Sequence, residues 1–256
     1  MLREIFPFLE EKHHMVSLVG AGGKTTLMYL LAEEYRSRGD KVLVTTTTHI
    51  KNPSSGMQGI WTPEELGEKV QWARDESQVK ELWRAGKIPV IGTETAEEKL
   101  AMPENAFFLR CCDLADQVLI EADGSKGMPC KVPADFEPVL LPQSDIVIGV
   151  MGMDALGKTI EEYCFRAEET SKLLGIHKEH CLTEEDMVKI LSSEKGTRKQ
   201  VGSRPYYVVL TKCDDGRRRK SAEKIRTYLG KKGIFQVACM WVGQDRNGGK
   251  KIWMKK

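Results

Sequence analysis

The chain has 256 residues, 41% hydrophobic and 30% charged, which suits one large α/β domain, or one domain with an appended lobe, in a soluble globular protein. A formal net charge of +2 excludes a chain that as a whole attracts nucleic acid or membrane surfaces, and no apolar run approaches the ~20 residues that span a bilayer. Residues 1–14 carry acids and lack an apolar stretch with a cleavage site, so a cytoplasmic protein is expected. The seven cysteines include no C-x-x-C pair and the five histidines show no metal-ligand spacing, so reduced thiols are expected rather than a zinc site.

Leu2, Ile5, Phe6 and Leu9 have helical spacing interrupted by Pro7, and predict a short helix or arm covering the sheet edge. A strand is predicted over 16–19 and a helix over 25–38, stopped by Gly39. Between them lies Gly20-Ala21-Gly22-Gly23-Lys24-Thr25-Thr26. Strand, glycine turn, lysine and helix in that order are what a phosphate-binding loop requires. The glycines let backbone N–H groups approach a polyphosphate, and the helix aims its positive end at the same anion. Lys24 is placed to reach the outer phosphates, and the Thr25 hydroxyl to hold Mg²⁺. The loop is two residues shorter than the usual pattern, and this Gly-x-x-Gly-Lys-Thr-Thr form resembles the loop of the Mur ligase superfamily.

A second strand over 41–45 ends in Thr45-Thr46-Thr47-Thr48-His49. Ligands of open parallel sheets sit at the carboxyl ends of strands, so Thr46 and Thr47 are candidate ligand contacts, and His49 a weaker one. Residues 52–57 read as a loop. Thr62-Pro63-Glu64-Glu65 then reads as a capped helix start carrying Leu66, Val70 and Trp72 inward. A strand follows over 88–92, and helical pieces over 95–101 and 109–115.

Residues 118–125 form an apolar strand ending in acids. Glu121 and Asp123 lie two apart, hence on one face, where one carboxylate can bind magnesium and the other hold a water. Two such acids repel unless a cation sits with them. In the long loop that follows, Lys126 and Lys131 are expected to meet an anionic group. Another strand is read over 144–150, a helix led by 164–168, and a helix capped by Thr183 through Ile190 and Leu191. The strand from Tyr206 ends in Thr211-Lys212-Cys213-Asp214, close to the Asn/Thr-Lys-x-Asp of GTP-binding proteins, which makes Lys212 and Asp214 candidate base contacts. A helix over 217–229 and a last strand over 235–242 complete the chain, with the basic cluster at 217–220 and the tail lysines read as solvated charge.

Taken together these motifs resemble the selenium-dependent hydroxylase accessory protein family of the YqeC type. The resemblance rests on residues 19–26, 44–48, 120–125, Lys131-Val132-Pro133, Glu137-Pro138-Val139, 152–158 and 211–214. It implies a cytoplasmic bacterial protein associated with maturation of selenium-dependent molybdenum hydroxylases, with such a hydroxylase or its cofactor machinery as partner. Two departures stand out: Phe165 occupies a position where that family often has histidine, and Thr211 one where asparagine is commoner, which leaves ATP and GTP both open. Arg166 is available as an anion contact.

The expected fold is therefore a three-layer, mainly parallel, P-loop NTPase-like α/β domain over residues 1–256, with a small helical insertion around 160–204. The expected ligands are ATP or GTP with Mg²⁺. Gly20, Ala21, Gly22, Gly23, Lys24, Thr25 and Thr26 would hold phosphate, and Thr25 with Glu121 or Asp123 the metal. Lys24 and Asp123 are the candidate catalytic pair. With no arginine finger or water-positioning glutamine evident, hydrolysis is expected to be slow unaided. Two rivals remain: a kinase or ligase acting on a small substrate, and a non-enzymatic cofactor chaperone.

Overall fold

The computed structural model describes residues 2–11, 14–55, 68–244 and 250–256. Its frame is a nine-stranded sheet. From the centre outward on one side run β1 (His14–Gly20), β8 (Gln117–Glu121), β2 (Val42–Thr46), β5 (Ile88–Ile91) and β4 (Val70–Ala73). On the other side of β1 run β10 (Ile146–Gly152), β12 (Tyr206–Thr211), β13 (Val237–Gln244) and β14 (Lys250–Lys255). Every neighbouring pair is parallel except β13–β14.

Both faces are covered, so the central strands are apolar nearly throughout. Alternation assigns the faces. Val16, Leu18, Val42, Val44, Leu119 and Val209 pack with Leu27, Met28 and Leu31 of α2 (Lys24–Ser37). Leu43, Val118 and Ile120 turn the other way, onto Val79 of α3 (Glu76–Arg84) and Phe108 of α4 (Asn105–Leu114). Val208 and Leu210 do the same toward the helices of the later chain. Those are α5 (Ile160–Tyr163), α6 (Ala167–Leu174), α7 (Glu184–Ser192) and α8 (Gly216–Gly230). A three-layer, mainly parallel α/β fold results. No helix among the described residues is long and apolar enough to cross a membrane.

Strand order places the site. The chain leaves β1 through α2 and enters β2 one position too far out, and β8 later fills the gap. The next long strand, β10, joins the opposite side of β1. The order therefore reverses at β1, and the carboxyl end of that strand is where a ligand of such a sheet is expected.

Several local expectations change. The stretch expected as helix over 95–101 is a hairpin, β6 (Thr93–Glu94) with β7 (Lys99–Ala101), joined by β3 (His49–Lys51). Helix-forming Ala and Glu residues there yield to burial of Leu100 against Ile50 across β3–β7. Val70 and Trp72, expected on a helix, lie on edge strand β4, while Thr62–Leu66 lie outside the described residues. The N-terminal arm, α1 (Leu2–Ile5) and a 3-10 turn (Pro7–Glu10), covers a sheet face beside α2, with Phe6 and Phe8 ring centroids 5.9 and 5.1 Å from that of Tyr207. The tail lysines Lys251, Lys255 and Lys256 are exposed, as expected for solvated charge, but the segment carrying them adds a strand that was not expected, β14, which buries Met254 and pairs Lys255 with Glu223. Thr183 does cap α7, in a reciprocal box with Asp186.

Candidate functional site

Gly20 ends β1 and Gly23 caps α2, so the glycine loop is the whole connection between them. Gly20, Gly22 and Gly23 all have positive φ, at 95°, 76° and 116°. The loop is also walled in. Ala21 N–H donates to the Val150 carbonyl at 2.8 Å. The Thr211 hydroxyl, at the end of β12, donates to the Gly22 carbonyl. A Cβ on Gly22 would sit 2.7 Å from both Gly152 Cα and the Pro129 carbonyl oxygen, and closer still to Gly152 N. A Cβ on Gly23 would meet only Thr211, at 3.5 Å. Gly22→Ala must therefore displace backbone, whereas Gly23→Ala carries only the roughly 1–3 kcal/mol of an unfavourable φ. Thermal unfolding of the two variants should show the larger loss at Gly22; equal losses would contradict this packing.

No side chain caps α2 and no acid lies in its first turn. The positive end of a 14-residue helix thus lies at the carboxyl end of β1 without a side-chain cap. Three residues at this end were singled out from the sequence. Lys24 is buried, its ammonium 2.5 Å from the Gly20 carbonyl oxygen and 3.2 Å from Asp123 Oδ1. The Thr25 hydroxyl donates to Glu121 Oε2 at 2.8 Å. Thr26 is half-buried one position further on.

The two acids, delivered together by β8, have different partners. Asp123 is buried, accepts from Gly20 N–H at 3.0 Å, and touches both Lys24 and Lys131. Among the described residues, Glu121 has Thr25 as its side-chain hydrogen-bond donor. Burial raises the Glu121 pKa above the ordinary carboxylate value, and neighbouring Asp123 adds to the rise; Lys24 and the Thr25 bond oppose it. A carboxylate held this way favours a cation beside it. The donor set fits Mg²⁺: a hydroxyl that donates its proton to Glu121 and so keeps its oxygen lone pairs free of that bond, and a hard carboxylate next to it. Among the described residues no group of three or more His, Cys, Asp or Glu could hold a metal, so such an ion would complete its shell with phosphate and water.

The other candidates spread along the same edge. Thr46 donates to the Glu121 carbonyl and accepts from Thr48 N–H, and Thr47 donates to the Val139 carbonyl. Their hydroxyl protons thus pin β2 to β8 and to the 139 segment. Lys212 lies 2.6 Å from Asp154 Oδ2, and Asp214 2.5 Å from the Arg218 guanidinium. Thr211, between strand and lysine, is the member of that motif that reaches the glycine loop. Nothing local in the sequence signals this hydrogen bond, which spans 189 positions.

The anionic groups expected for Lys131 lie within the protein. Its ammonium is fully buried, 2.9 Å from Glu137 Oε2 and 3.3 Å from Asp123 Oδ2. Arg166 Nε and Nη2 bind both oxygens of Glu137, at 3.0 and 3.2 Å. Burial alone would raise the Glu137 pKa, but the bonds from Arg166 and Lys131 outweigh it and hold the carboxyl below its ordinary range. Lys126 stays exposed, its ammonium 5.6 Å from the Phe165 ring centre. A separate cavity of about 680 Å³, lined by Trp72, Glu76, Phe107 and Arg110 among others, lies at the β4–β5 end of the sheet and includes none of these residues.

Fold and site define the class: a three-layer α/β protein with a glycine loop, a lysine and two acids at the point where its sheet order reverses. The YqeC protein family model matches residues 16–168. Over 198 residues, 75% of this chain and 73% of the relative, the chain is 33% identical to the uncharacterised protein YqeC of Escherichia coli (strain K12). The chain belongs to the YqeC family.

Proposed function

We propose that the chain binds a purine nucleoside triphosphate, ATP or GTP, with Mg²⁺ at the glycine loop. In this reading it is a nucleotide-driven accessory protein, an NTPase of low intrinsic rate, in the maturation of selenium-dependent molybdenum hydroxylases. One observation carries the binding: Lys24 and Thr25 stand at the uncapped start of α2, facing Asp123 and Glu121 at the end of the adjacent strand. The loop amides and Lys24 would hold phosphate oxygens; Thr25 and Glu121 would hold the metal. Bound Mg²⁺ would neutralise charge on the phosphates. Lys212 and Asp214 are the candidate contacts to the base, and both would have to exchange their present ion pairs for it. The maturation role rests on the family resemblance.

Calorimetric titration with ATP and GTP, with and without Mg²⁺, tests this reading. Binding that requires Mg²⁺ is expected for at least one nucleotide. No binding of either by folded protein would overturn it. A transferred phosphate on a small substrate would instead favour the kinase or ligase reading suggested by the shortened loop.

Glu121→Gln separates metal from fold. The amide keeps an acceptor for Thr25 but removes a buried charge, so Tm should rise at neutral pH by roughly 2–4 °C, the effect of about 1 kcal/mol in a chain of this size. The sign follows from the raised pKa. Ionisation of Glu121 costs folded-state stability above the ordinary value of 4.5, and the gain should vanish in acid, where the carboxyl is protonated folded and unfolded. The same variant should lose the Mg²⁺ dependence of nucleotide binding. A lower Tm with unchanged Mg²⁺ dependence would contradict both roles.

A further inference from the structure

Five charged side chains alternate in sign from the glycine loop to the surface: Lys24, Asp123, Lys131, Glu137 and Arg166, with successive N–O distances of 3.2, 3.3, 2.9 and 3.0 Å. The inner members are buried, and the Lys131 side chain has no exposed surface. The Lys24 ammonium is folded inward onto the Gly20 carbonyl and Asp123. To reach a phosphate it must leave both.

That departure would strip Asp123 of one of its two cations in a dry setting, where an uncompensated charge is strongly disfavoured. What remains is the Gly20 N–H and Lys131. Lys131 is itself anchored from the far side by Glu137 and by the Gly124 carbonyl, which accepts from it at 2.7 Å. It therefore cannot follow Lys24.

We propose that Lys131 is a positioning residue for Lys24: it neutralises Asp123 while Lys24 turns to the nucleotide phosphates, so nucleotide affinity depends on Lys131 although Lys131 does not touch the nucleotide. The inference rests on the phosphate-binding reading of the glycine loop. Without Lys131, Asp123 has Lys24 as its only cation and retains it. Removing the carboxylate as well sets Lys24 free again. Asparagine at 123 still offers an oxygen to the Gly20 N–H, so the loop keeps its strut.

The test measures affinity for the magnesium nucleotide by calorimetry in wild type, Lys131→Met, Asp123→Asn and the Asp123→Asn/Lys131→Met double variant, with thermal melts on each. Lys131→Met should bind tenfold or more weakly than wild type, and the double variant should recover to the affinity of Asp123→Asn. A purely structural Lys131 would leave Lys131→Met and the double variant equally weak, overturning the inference, as would wild-type affinity in Lys131→Met. Should Lys131→Met not fold, the comparison of the double variant with Asp123→Asn decides: equal affinity supports the role, and a tenfold gap overturns it. Absence of binding in wild type would fail differently, sinking the phosphate reading and this inference with it.

Discussion

Lys24→Ala should abolish Mg²⁺-dependent nucleotide binding, with affinity falling a hundredfold or more by calorimetry. Lys24 is the cation at the start of α2 that would turn from Asp123 to the phosphates, and a charge-assisted contact to phosphate is worth about twice a neutral hydrogen bond, more where water is excluded. The loss should not come from unfolding. With Lys24 gone, Asp123 keeps Lys131 at 3.3 Å and the Gly20 N–H at 3.0 Å, so no buried charge is orphaned. A Tm within a few degrees of wild type is expected alongside the lost binding. Affinity unchanged in Lys24→Ala would remove the glycine loop from consideration as the phosphate site, whatever else the chain bound.

The largest stability effect should come from Glu137→Ala. It removes the nearest anion of fully buried Lys131 and both hydrogen bonds from Arg166. Breaking one side of a buried ion pair costs about 3–5 kcal/mol, so Tm should drop by roughly 10 °C or more in a chain this long. The pH dependence has a definite sign. The Glu137 pKa is lowered in the folded state from an ordinary 4.5, so its contribution is complete above about 4.5 and is lost as pH falls through the folded value. The Tm difference between wild type and variant should therefore hold steady through neutral pH and narrow in acid. A difference that grew in acid, or one of only a degree or two at neutral pH, would show that Glu137 does not hold Lys131 as described.

Much of the site was legible because its signals are local. A glycine turn between an apolar strand and a helix is a continuous run, residues 16–27, and its chemistry follows from residue types in order. Glu121 is the last residue of β8, as an apolar run ending in an acid suggests, whereas Asp123 lies two residues past the strand, where the turn rather than strand period sets its direction. Three layers of parallel strands and helices followed from alternating elements of suitable length.

What the sequence could not supply was partnership. Lys131 carries the same charge whether it meets solvent, a ligand or Glu137; only the chain path from β8 to β10 puts that glutamate 2.9 Å away. Glu121 and Asp123 looked interchangeable until β1 and α2 gave one to Thr25 and the other to Lys24 and Gly20 N–H. Thr211 reads as part of a base motif, yet the adjacency of β10 and β12 to the loop makes its hydroxyl a clasp on Gly22. Pairing likewise decided 95–101, expected as helix, and the tail, whose lysines are solvated as expected but whose strand β14 exists only through β13. Residue order along this chain determined the strands, the loop and the charges it presents. Which charge neutralises which was decided by strand order in the sheet, because ion pairs and hydrogen bonds act over ~3 Å and neighbours at that range come from chain segments far apart in sequence.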